Sequence, residues 1–257
     1  MDMNNKNIII NHLDEYDLQI FNLYDLALAL DLSTAKVRIA LGRLVDEGII
    51  VRLQRALYAK PSFSDQYVLA YQLCKNGAIA YWSALSYHGL TTQFSNTIFI
   101  QSPRRIFPKV ILGTSFKFVQ VDKKKIGQFQ KVGRGNNIYY VTTIEKTIVD
   151  CFDRFDYSGG WTELVKSFYK AKLNSKLFIE ACELVHNISV IKRLGYLAFV
   201  SQKAGMKNFI KYVKSNLNDT YDILDNESAP AGNFNTEWML DLNVSDEELR
   251  KSLVNIY

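Results

Sequence analysis

The chain is poor in cysteine and has no long apolar run. Its 257 residues include three cysteines, Cys74, Cys151 and Cys182, which lie far apart and form no CxxC pair. This spacing argues against a disulfide or zinc framework and favours buried thiols in a reducing compartment. No apolar stretch approaches the roughly 18–20 residues that span a bilayer, and the first residues lack the cationic start and apolar core of a secretory signal. We therefore expect a cytoplasmic protein that makes no use of a membrane.

Motifs of catalysis and cofactor binding are scarce as well. The three histidines, His12, His88 and His186, lie far apart and form no HExxH-type pattern, and the sequence contains no P-loop or GxSxG elbow. The glycines around Arg134 lack the strand–turn–helix context of a dinucleotide fingerprint, so a turn between strands is expected there. The sequence predicts no catalytic residue and no cofactor.

One group of carboxylates is the best candidate for a metal site. Its members lie between residues 145 and 156 and are Glu145, Asp150, Asp153 and Asp156. Lys146 and Arg154 lie among them, and such mixed charges commonly form ion pairs within a helix. We therefore expect ion pairs in this segment and no bound metal.

Positive charge is concentrated in two stretches of the chain. The net charge is +5, and 48% of the residues are hydrophobic, enough to bury the cores of two domains. Residues 32–60 carry six cations and two acids, whereas residues 1–31 carry one cation and six acids. Residues 101–134 carry nine cations and one acid, and residues 218–257 carry nine acids and two cations. Basic stretches followed by an acidic tail suit a phosphate-binding protein. Solvation and head-to-tail self-association are the alternatives for the tail.

Residues 33–48 have the pattern of a DNA-reading helix. Ser33 or Thr34 is a good N-cap, and Gly48 is suited to ending the helix. Apolar residues recur on one side at helical spacing, at Val37, Ala40, Leu41 and Leu44. The opposite side carries Ala35, Lys36, Arg38, Ile39, Gly42 and Arg43. In a major groove, such aliphatic groups can contact thymine methyls, and such cations can reach phosphates or guanine edges.

A hairpin is predicted directly after this helix. Residues 49–53 and 57–60 resemble two short strands, with Arg52 and Arg55 at or near the tip of the turn between them. Two shorter helical patterns, Ile8–Leu13 and Leu23–Leu30, come before the proposed recognition helix. Three helices and a hairpin predict a winged helix-turn-helix DNA-binding domain over residues 1–62. A solvated basic face and a protein-docking module are the alternatives.

Residues 63–257 are expected to form a second, mixed α/β domain, so that the whole chain is α+β. Helices are predicted over 66–73 and 78–87, and strands mainly within 95–142, at 97–101, 117–121 and 138–141. The second half, 143–217, is mainly helical, with helices at 143–154, 160–171, 174–186, 188–202 and 205–216. A turn at 228–232, a segment at 234–243 and a short terminal helix complete the acidic tail, residues 218–257.

Two segments of the second domain resemble those of the AbiEi antitoxin family. The segment AYWSALSYHGLTTQ at 80–93 is similar to the family's WSAL–HGL–T–Q segment, and TIEKTIVDC at 143–151, followed by YSGG at 157–160, is similar to its EKTIVDC–GG segment. The winged-helix pattern is similar too, and the resemblance spans about residues 10–215. The family usually has glycine where this chain has Ala56.

The resemblance implies a bacterial antitoxin of a type IV toxin–antitoxin system. In this family the winged helix binds inverted repeats in the operon's own promoter and represses it. The second domain is linked to neutralising an AbiEii toxin, a nucleotidyltransferase-like protein, with which it need not form a stable complex. Some such systems act in abortive infection, a phage defence. Inverted repeats call for two copies of a winged helix, so self-association on DNA is expected.

From the sequence pattern and the resemblance we predict three groups of site residues. The DNA-binding group is Ser33, Thr34, Lys36, Arg38, Ile39, Arg43, Arg52 and Arg55. The auxiliary phosphate contacts are Arg104, Arg105, Lys123, Lys124, Lys125 and Arg134. The antitoxin-domain motif is Trp82, Ser83, His88, Gly89, Glu145, Lys146 and Asp150, for which simple packing is the alternative. A ligand-responsive regulator unrelated to a toxin, and an enzyme acting on bound nucleic acid, are the competing functions.

Overall fold

The amino-terminal part of the protein contains three helices and a small antiparallel sheet. A computed structural model describes residues 2–249, with side chains from residue 5. The elements in chain order are α1 (Asp2–Glu15), β1 (Ile20–Asn22), α2 (Leu23–Ala29), α3 (Thr34–Asp46), β2 (Val51–Gln54) and β3 (Leu57–Ala59). The strand order is β1-β3-β2, with β3 antiparallel to both neighbours. Strand β1 was not expected, because three residues are too few to show an alternating pattern.

The three helices share one apolar core. Ile9 and Leu13 of α1, Leu26 of α2, and Val37 and Leu41 of α3 are almost fully buried in it. Each such side chain contributes roughly 1.5–3 kcal/mol by its removal from water. Helix α1 is longer than the expected Ile8–Leu13, since its first turns are polar and carry no apolar stripe.

A six-stranded mixed sheet forms the centre of the second part. Its members are β4 (Ala78–Ile79), β5 (Thr97–Ser102), β6 (Lys109–Ile111), β7 (Thr114–Gln120), β8 (Phe129–Val132) and β9 (Tyr139–Thr142), in the order β6-β7-β5-β4-β9-β8. β5 is parallel to β7, and β4 is parallel to β9. The expectation of a helix from residue 78 was wrong, because Ala78 and Ile79 pair with β5. Helix α5 (Tyr81–Tyr87) starts only afterwards; α4 (Gln66–Leu73) lies where it was expected.

The strand register places three loops at one edge of this sheet. Ser102 and Gln120 are paired at the carboxyl ends of β5 and β7, so the loops after both strands leave from the same edge. The loop at 133–138 joins β8 to β9 beside the Val132–Tyr139 pair, where β9 begins. Strand β4 begins at Ala78, which pairs with Gln101 near the end of β5. Strand β9 is parallel to β4 and so begins at the same edge. The loop at 133–138 therefore lies at the edge from which the loops after β5 and β7 leave.

The two faces of the sheet pack against different parts of the molecule. Ile98 and Phe116 lie in a cluster with Ile20, Leu57 and Ala59 of the amino-terminal sheet. The other face packs on helices α6 (Ile144–Asp153), α7 (Trp161–Lys170), α8 (Ser175–Val185), α9 (Ile188–Val200) and α10 (Lys207–Ser215). These five helices confirm the expected helical second half. The two parts of the chain therefore share a continuous apolar contact.

The acidic tail folds back onto α9. Its short strands are β10 (Asp222–Ile223), β11 (Phe234–Asn235) and β12 (Leu240–Asp241), and the side chains of Leu224, Trp238 and Leu240 are fully buried. Lys192 of α9 donates to the Asp222 carboxylate at 2.8 Å. This part of the tail thus belongs to the core; residues 250–257 of the expected tail lie outside the described residues. No helix within residues 2–249 is long and apolar enough to cross a bilayer.

Candidate nucleic-acid interface

Helix α3 turns a cationic face to the solvent. The Ser33 side chain caps the helix by accepting a hydrogen bond from the Lys36 amide at 3.4 Å. The buried side consists of Val37, Ala40, Leu41 and Leu44, as the spacing predicted. The exposed side carries Ser33, Thr34, Lys36, Arg38, Ile39, Gly42 and Arg43. Ile39 is 54% exposed, and neither Lys36 nor Arg38 forms an ion pair within the described residues. The helix therefore offers Lys36 and Arg38 as free cations, and Ile39 as an aliphatic group, on one surface.

The carboxyl end of α3 is fixed to the rest of the amino-terminal part. Glu47, just after the helix, forms an ion pair with Lys6 of α1. Gly48 has a φ of +70°, the left-handed conformation that closes a helix, and Ile50 then enters the core. These contacts fix α3 in place while Lys36, Arg38 and Ile39 stay exposed to the solvent.

The hairpin β2–β3 presents two arginines. Arg52 and Arg55 are both exposed, and the Arg52 Nε donates to the carbonyl of Gln54 at 3.4 Å. Ala56 takes a φ of +61° at the turn, a conformation that favours glycine. Its carbonyl accepts a hydrogen bond from the Leu23 amide at 2.8 Å, which fixes the turn to the start of α2.

One hydrogen bond connects the hairpin to the second part of the protein. Lys109, the first residue of β6, donates from Nζ to the Gln54 Oε1 at 2.6 Å. The loop just before Lys109 carries the exposed Arg104 and Arg105, and the Arg105 guanidinium lies 5.3 Å from the centre of the Phe107 ring. Lys109 belongs to the basic stretch 101–134 but was not among the predicted site residues. The contact places the ammonium group of Lys109 beside the hairpin, in addition to the hairpin's own Arg52 and Arg55.

All six expected auxiliary cations lie on the loops at one sheet edge, which we call the basic edge. Its members are Arg104, Arg105, Lys123, Lys124, Lys125 and Arg134. The three lysines form a short 3₁₀ turn whose Lys124 amide is capped by Asp122, and Lys125 pairs with Asp153 at 3.4 Å. Arg134 is exposed in the turn between β8 and β9. Lys117, from the same basic stretch, instead packs 4.7 Å from the centre of the Tyr157 ring.

The motif residues of α5 hold that helix against the sheet. Ser83 is buried and its hydroxyl accepts a hydrogen bond from the Phe99 amide of β5 at 2.9 Å. The Trp82 indole donates to the carbonyl of Gln93 at 3.4 Å. Gly89 has a φ of +65° just after the helix. These contacts are those of a packing element.

His88 connects α5 to the strand β9. Its Nε2 lies 2.7 Å from the carbonyl oxygen of Thr142. Burial lowers the pKa of His88, against the opposing effects of that hydrogen bond and of Glu145. The ring is therefore neutral at pH 7 and donates its Nε2 proton to the carbonyl.

The charged motif residues of α6 are paired inside the protein. Lys146 and Asp150 form a buried ion pair across one helical turn, and the Gln101 amide donates to Asp150 at 3.3 Å. Burial raises the pKa of Asp150, and the neighbouring Lys146 opposes that shift. Glu145 accepts a hydrogen bond from the Asn174 amide at 2.9 Å. None of these groups forms part of the exposed surface.

The carboxylates considered as a metal site are engaged elsewhere. Besides the contacts of Glu145 and Asp150, Asp153 accepts from the Asn187 amide at 2.7 Å and pairs with Lys125. Among residues 2–249 no group of three or more His, Cys, Asp or Glu side chains is arranged to hold a metal ion.

Comparison with known proteins identifies a fold relative. No protein-family model and no curated protein matches the sequence. The structure is similar to the crystal structure of the RV2827C protein from Mycobacterium tuberculosis, with a TM-score of 0.64 over 96% of this chain and 94% of that chain. The two sequences are 14% identical. The likeness therefore shows a shared α+β fold across almost the whole chain.

Proposed function

We propose that the amino-terminal part is a winged helix-turn-helix and that the protein represses transcription by binding DNA. The observation that carries this proposal is the exposed face of α3, where Lys36, Arg38 and Ile39 serve no packing role. In the major groove the cations would bind phosphates or guanine edges, and Ile39 would contact thymine methyl groups. Arg52 and Arg55 of the hairpin would contact the adjacent backbone as a wing does.

The basic edge would extend this footprint. The hydrogen bond from Lys109 to Gln54 holds the loop with Arg104 and Arg105 next to the proposed wing, and Lys123, Lys124 and Lys125 lie along the same edge. Cations in this position would contribute phosphate contacts that fix the register of the protein without reading sequence. Their contribution would therefore depend on salt through the release of counterions.

We also propose the biological role that the AbiEi resemblance implies. The protein would be an antitoxin and autorepressor that binds inverted repeats in its own promoter as two copies. Its second part, with the motif segments in α5 and α6, would counteract an AbiEii-type toxin in the bacterial cytoplasm. In that division of labour α3 and the hairpin serve promoter binding, and the second part serves protection of the cell.

Separation of the two activities tests this role. Arg38→Ala and Arg43→Ala should each weaken binding to the DNA upstream of the reading frame by about tenfold or more, measured by fluorescence anisotropy. The same variants should still rescue cells that express the downstream gene. Lys176→Ala, on the exposed surface of α8, is the matched control and should bind as the unchanged protein does. Variants that bind the promoter normally but fail to rescue would refute the division.

A salt titration tests the basic edge. Replacing Lys123, Lys124 and Lys125 together by alanine should flatten the slope of log K against log salt by about one unit per lost phosphate contact. An unchanged slope would remove these lysines from the DNA footprint and leave α3 and the hairpin as the whole interface.

A ligand-responsive regulator without a toxin partner is the second candidate. A cavity between the amino-terminal part and the second part favours it, because small-molecule sites occur preferentially at such boundaries. The identity of the downstream gene separates the two candidates: a nucleotidyltransferase-like gene supports the antitoxin, and its absence supports the regulator.

A further inference from the structure

We propose that this boundary cavity binds a planar aromatic carboxylic acid. The cavity has a volume of about 450 Å³, within the ~300–1,000 Å³ typical of small-molecule sites. Its walls come from α1, β1 and α2 on one side, and from the end of α4 and the β8–β9 loop on the other. A ligand in it would touch both parts of the protein at once.

The floor and one wall suit a flat ring. Leu18, Phe21 and Leu26 form an apolar base, and each is less than a tenth exposed. His12 and Tyr16 stand beside it as an aromatic pair, with ring centres 4.6 Å apart. Tyr16 is 59% exposed, so its ring has surface free to receive a ligand. A ring inserted against this wall would remove apolar surface from water.

The rim supplies a cation for a carboxylate. Lys75 pairs across the boundary with Asp25 at 3.3 Å, and the two side chains are 53% and 69% exposed. An ion pair this exposed contributes little to stability, so a ligand carboxylate can replace Asp25 at small cost. Gln72 and Asn136 also line the cavity. Neither side-chain amide makes a hydrogen bond within the described part of the chain, so both are available as donors.

Three matched probes test the site by titration calorimetry of the full-length chain. They are 2-naphthoate, its neutral analogue 2-naphthamide, and the cation 2-naphthylmethylammonium. We expect 2-naphthoate to bind with one-to-one saturation and at least tenfold more tightly than the other two. Absence of saturable binding up to millimolar concentration would overturn the proposal, and so would tighter binding of the cation, because Asp25 would then be the recognising group.

Substitutions locate the binding. Lys75→Met keeps the aliphatic stem and removes the charge, and it should weaken 2-naphthoate at least tenfold without changing 2-naphthamide. Ala29→Trp should fill the cavity and abolish binding of both. Two separate control variants should leave binding unchanged. Leu28→Trp adds the same ring one residue away, where the side chain is 85% exposed, and Lys176→Met removes a charge from the distant surface of α8.

The controls keep the test decisive. Lys75 is on the surface, so Lys75→Met remains informative even where Ala29→Trp disturbs folding, as judged by thermal melting. Binding that survives Lys75→Met and a folded Ala29→Trp would place the acid elsewhere and refute the site. Since no titration contains DNA, failure here leaves the proposed DNA binding untouched, and failure of DNA binding leaves this site untouched.

Discussion

Two cations of α3, Lys36 and Arg38, have surroundings opposite to those of two cations in the helical second half, Lys146 and Lys192. On α3, Lys36 and Arg38 are exposed and form no ion pair within residues 2–249. On α6 and α9, the side chains of Lys146 and Lys192 are fully buried, and each meets a carboxylate. A buried charge without a partner is costly, whereas an exposed charge is hydrated. The unpaired exposed cations are therefore the ones available to a partner molecule.

This difference explains why charge counts alone mislead. The acidic tail suggested a solvated or self-associating segment, yet Asp222 is the counter-ion of Lys192, and the Arg193 Nε donates to the carbonyl of Ile223 at 2.8 Å. Negative charge at the end of the chain balances positive charge 30 residues earlier. Only the fold brings the two together, because the pairing depends on the tail crossing α9.

The largest expected effect comes from breaking a buried pair. Lys146→Met leaves Asp150 buried without its cation and should lower the free energy of unfolding by about 3–5 kcal/mol, measured by urea denaturation. Asp150→Leu should cost a similar amount. The double variant should recover much of the loss, because neither charge then remains alone.

The matched surface variant is Lys36→Met on α3. Its unfolding free energy should stay within about 0.5 kcal/mol of the unchanged protein. A loss of several kcal/mol there, or a negligible loss for Lys146→Met, would contradict the contrast between paired interior and free surface cations.

A smaller effect on stability is expected at two glycines within helices, Gly195 of α9 and Gly42 of α3. A Cβ at Gly195 of α9 would lie 2.7 Å from Val213 and 2.9 Å from Trp238, both buried. Gly195→Ala should therefore cost about 1–3 kcal/mol through overpacking. At Gly42 on α3 a Cβ would meet nothing within 4 Å, so Gly42→Ala should stabilise the helix by up to about 1 kcal/mol. Thermal melting measures the change in stability of each variant, and two changes of the same sign would refute this prediction.

Periodic elements were predictable from the sequence, and short ones were not. The spacing of Val37, Leu41 and Leu44 indicated the buried face of α3 correctly because a helix repeats its contacts every turn. Strands β1 and β6 were missed, since three residues hold too little alternation and neither strand lies in a hairpin that the sequence predicted. Ala78 and Ile79 were predicted as the start of the helix that follows them, because two residues are too few to show a strand pattern. Their pairing with β5 decides their conformation. The link from Lys109 to Gln54 joins residues 55 apart and has no local signal.

The hairpin offers a test of local strain. Ala56 has a φ of +61°, which costs a residue with a Cβ roughly 1–2 kcal/mol, while glycine loses about 0.5–1 kcal/mol more backbone entropy on folding. Ala56→Gly should therefore raise the free energy of unfolding by about 0.5–1 kcal/mol, measured by urea denaturation. Ala35→Gly, at a helical φ on α3, should instead destabilise. A destabilised Ala56→Gly would mean that the turn is not strained.

The smallest expected effect is a pH dependence from the interior. Burial lowers the pKa of His88 below its ordinary value of 6.5, so the unfolded chain takes up a proton more readily than the folded one. The contribution of His88 to stability is complete above pH 6.5 and is lost as the pH falls from there through the folded pKa. His88→Gln keeps an N–H donor for the Thr142 carbonyl but cannot titrate. Its unfolding free energy should fall less steeply between pH 6.5 and 5 than that of the unchanged protein. If the two proteins show identical slopes of unfolding free energy against pH, the ring is protonated as easily in the folded chain as in water. His88 would then behave as an exposed group, like the cations on the surface of α3.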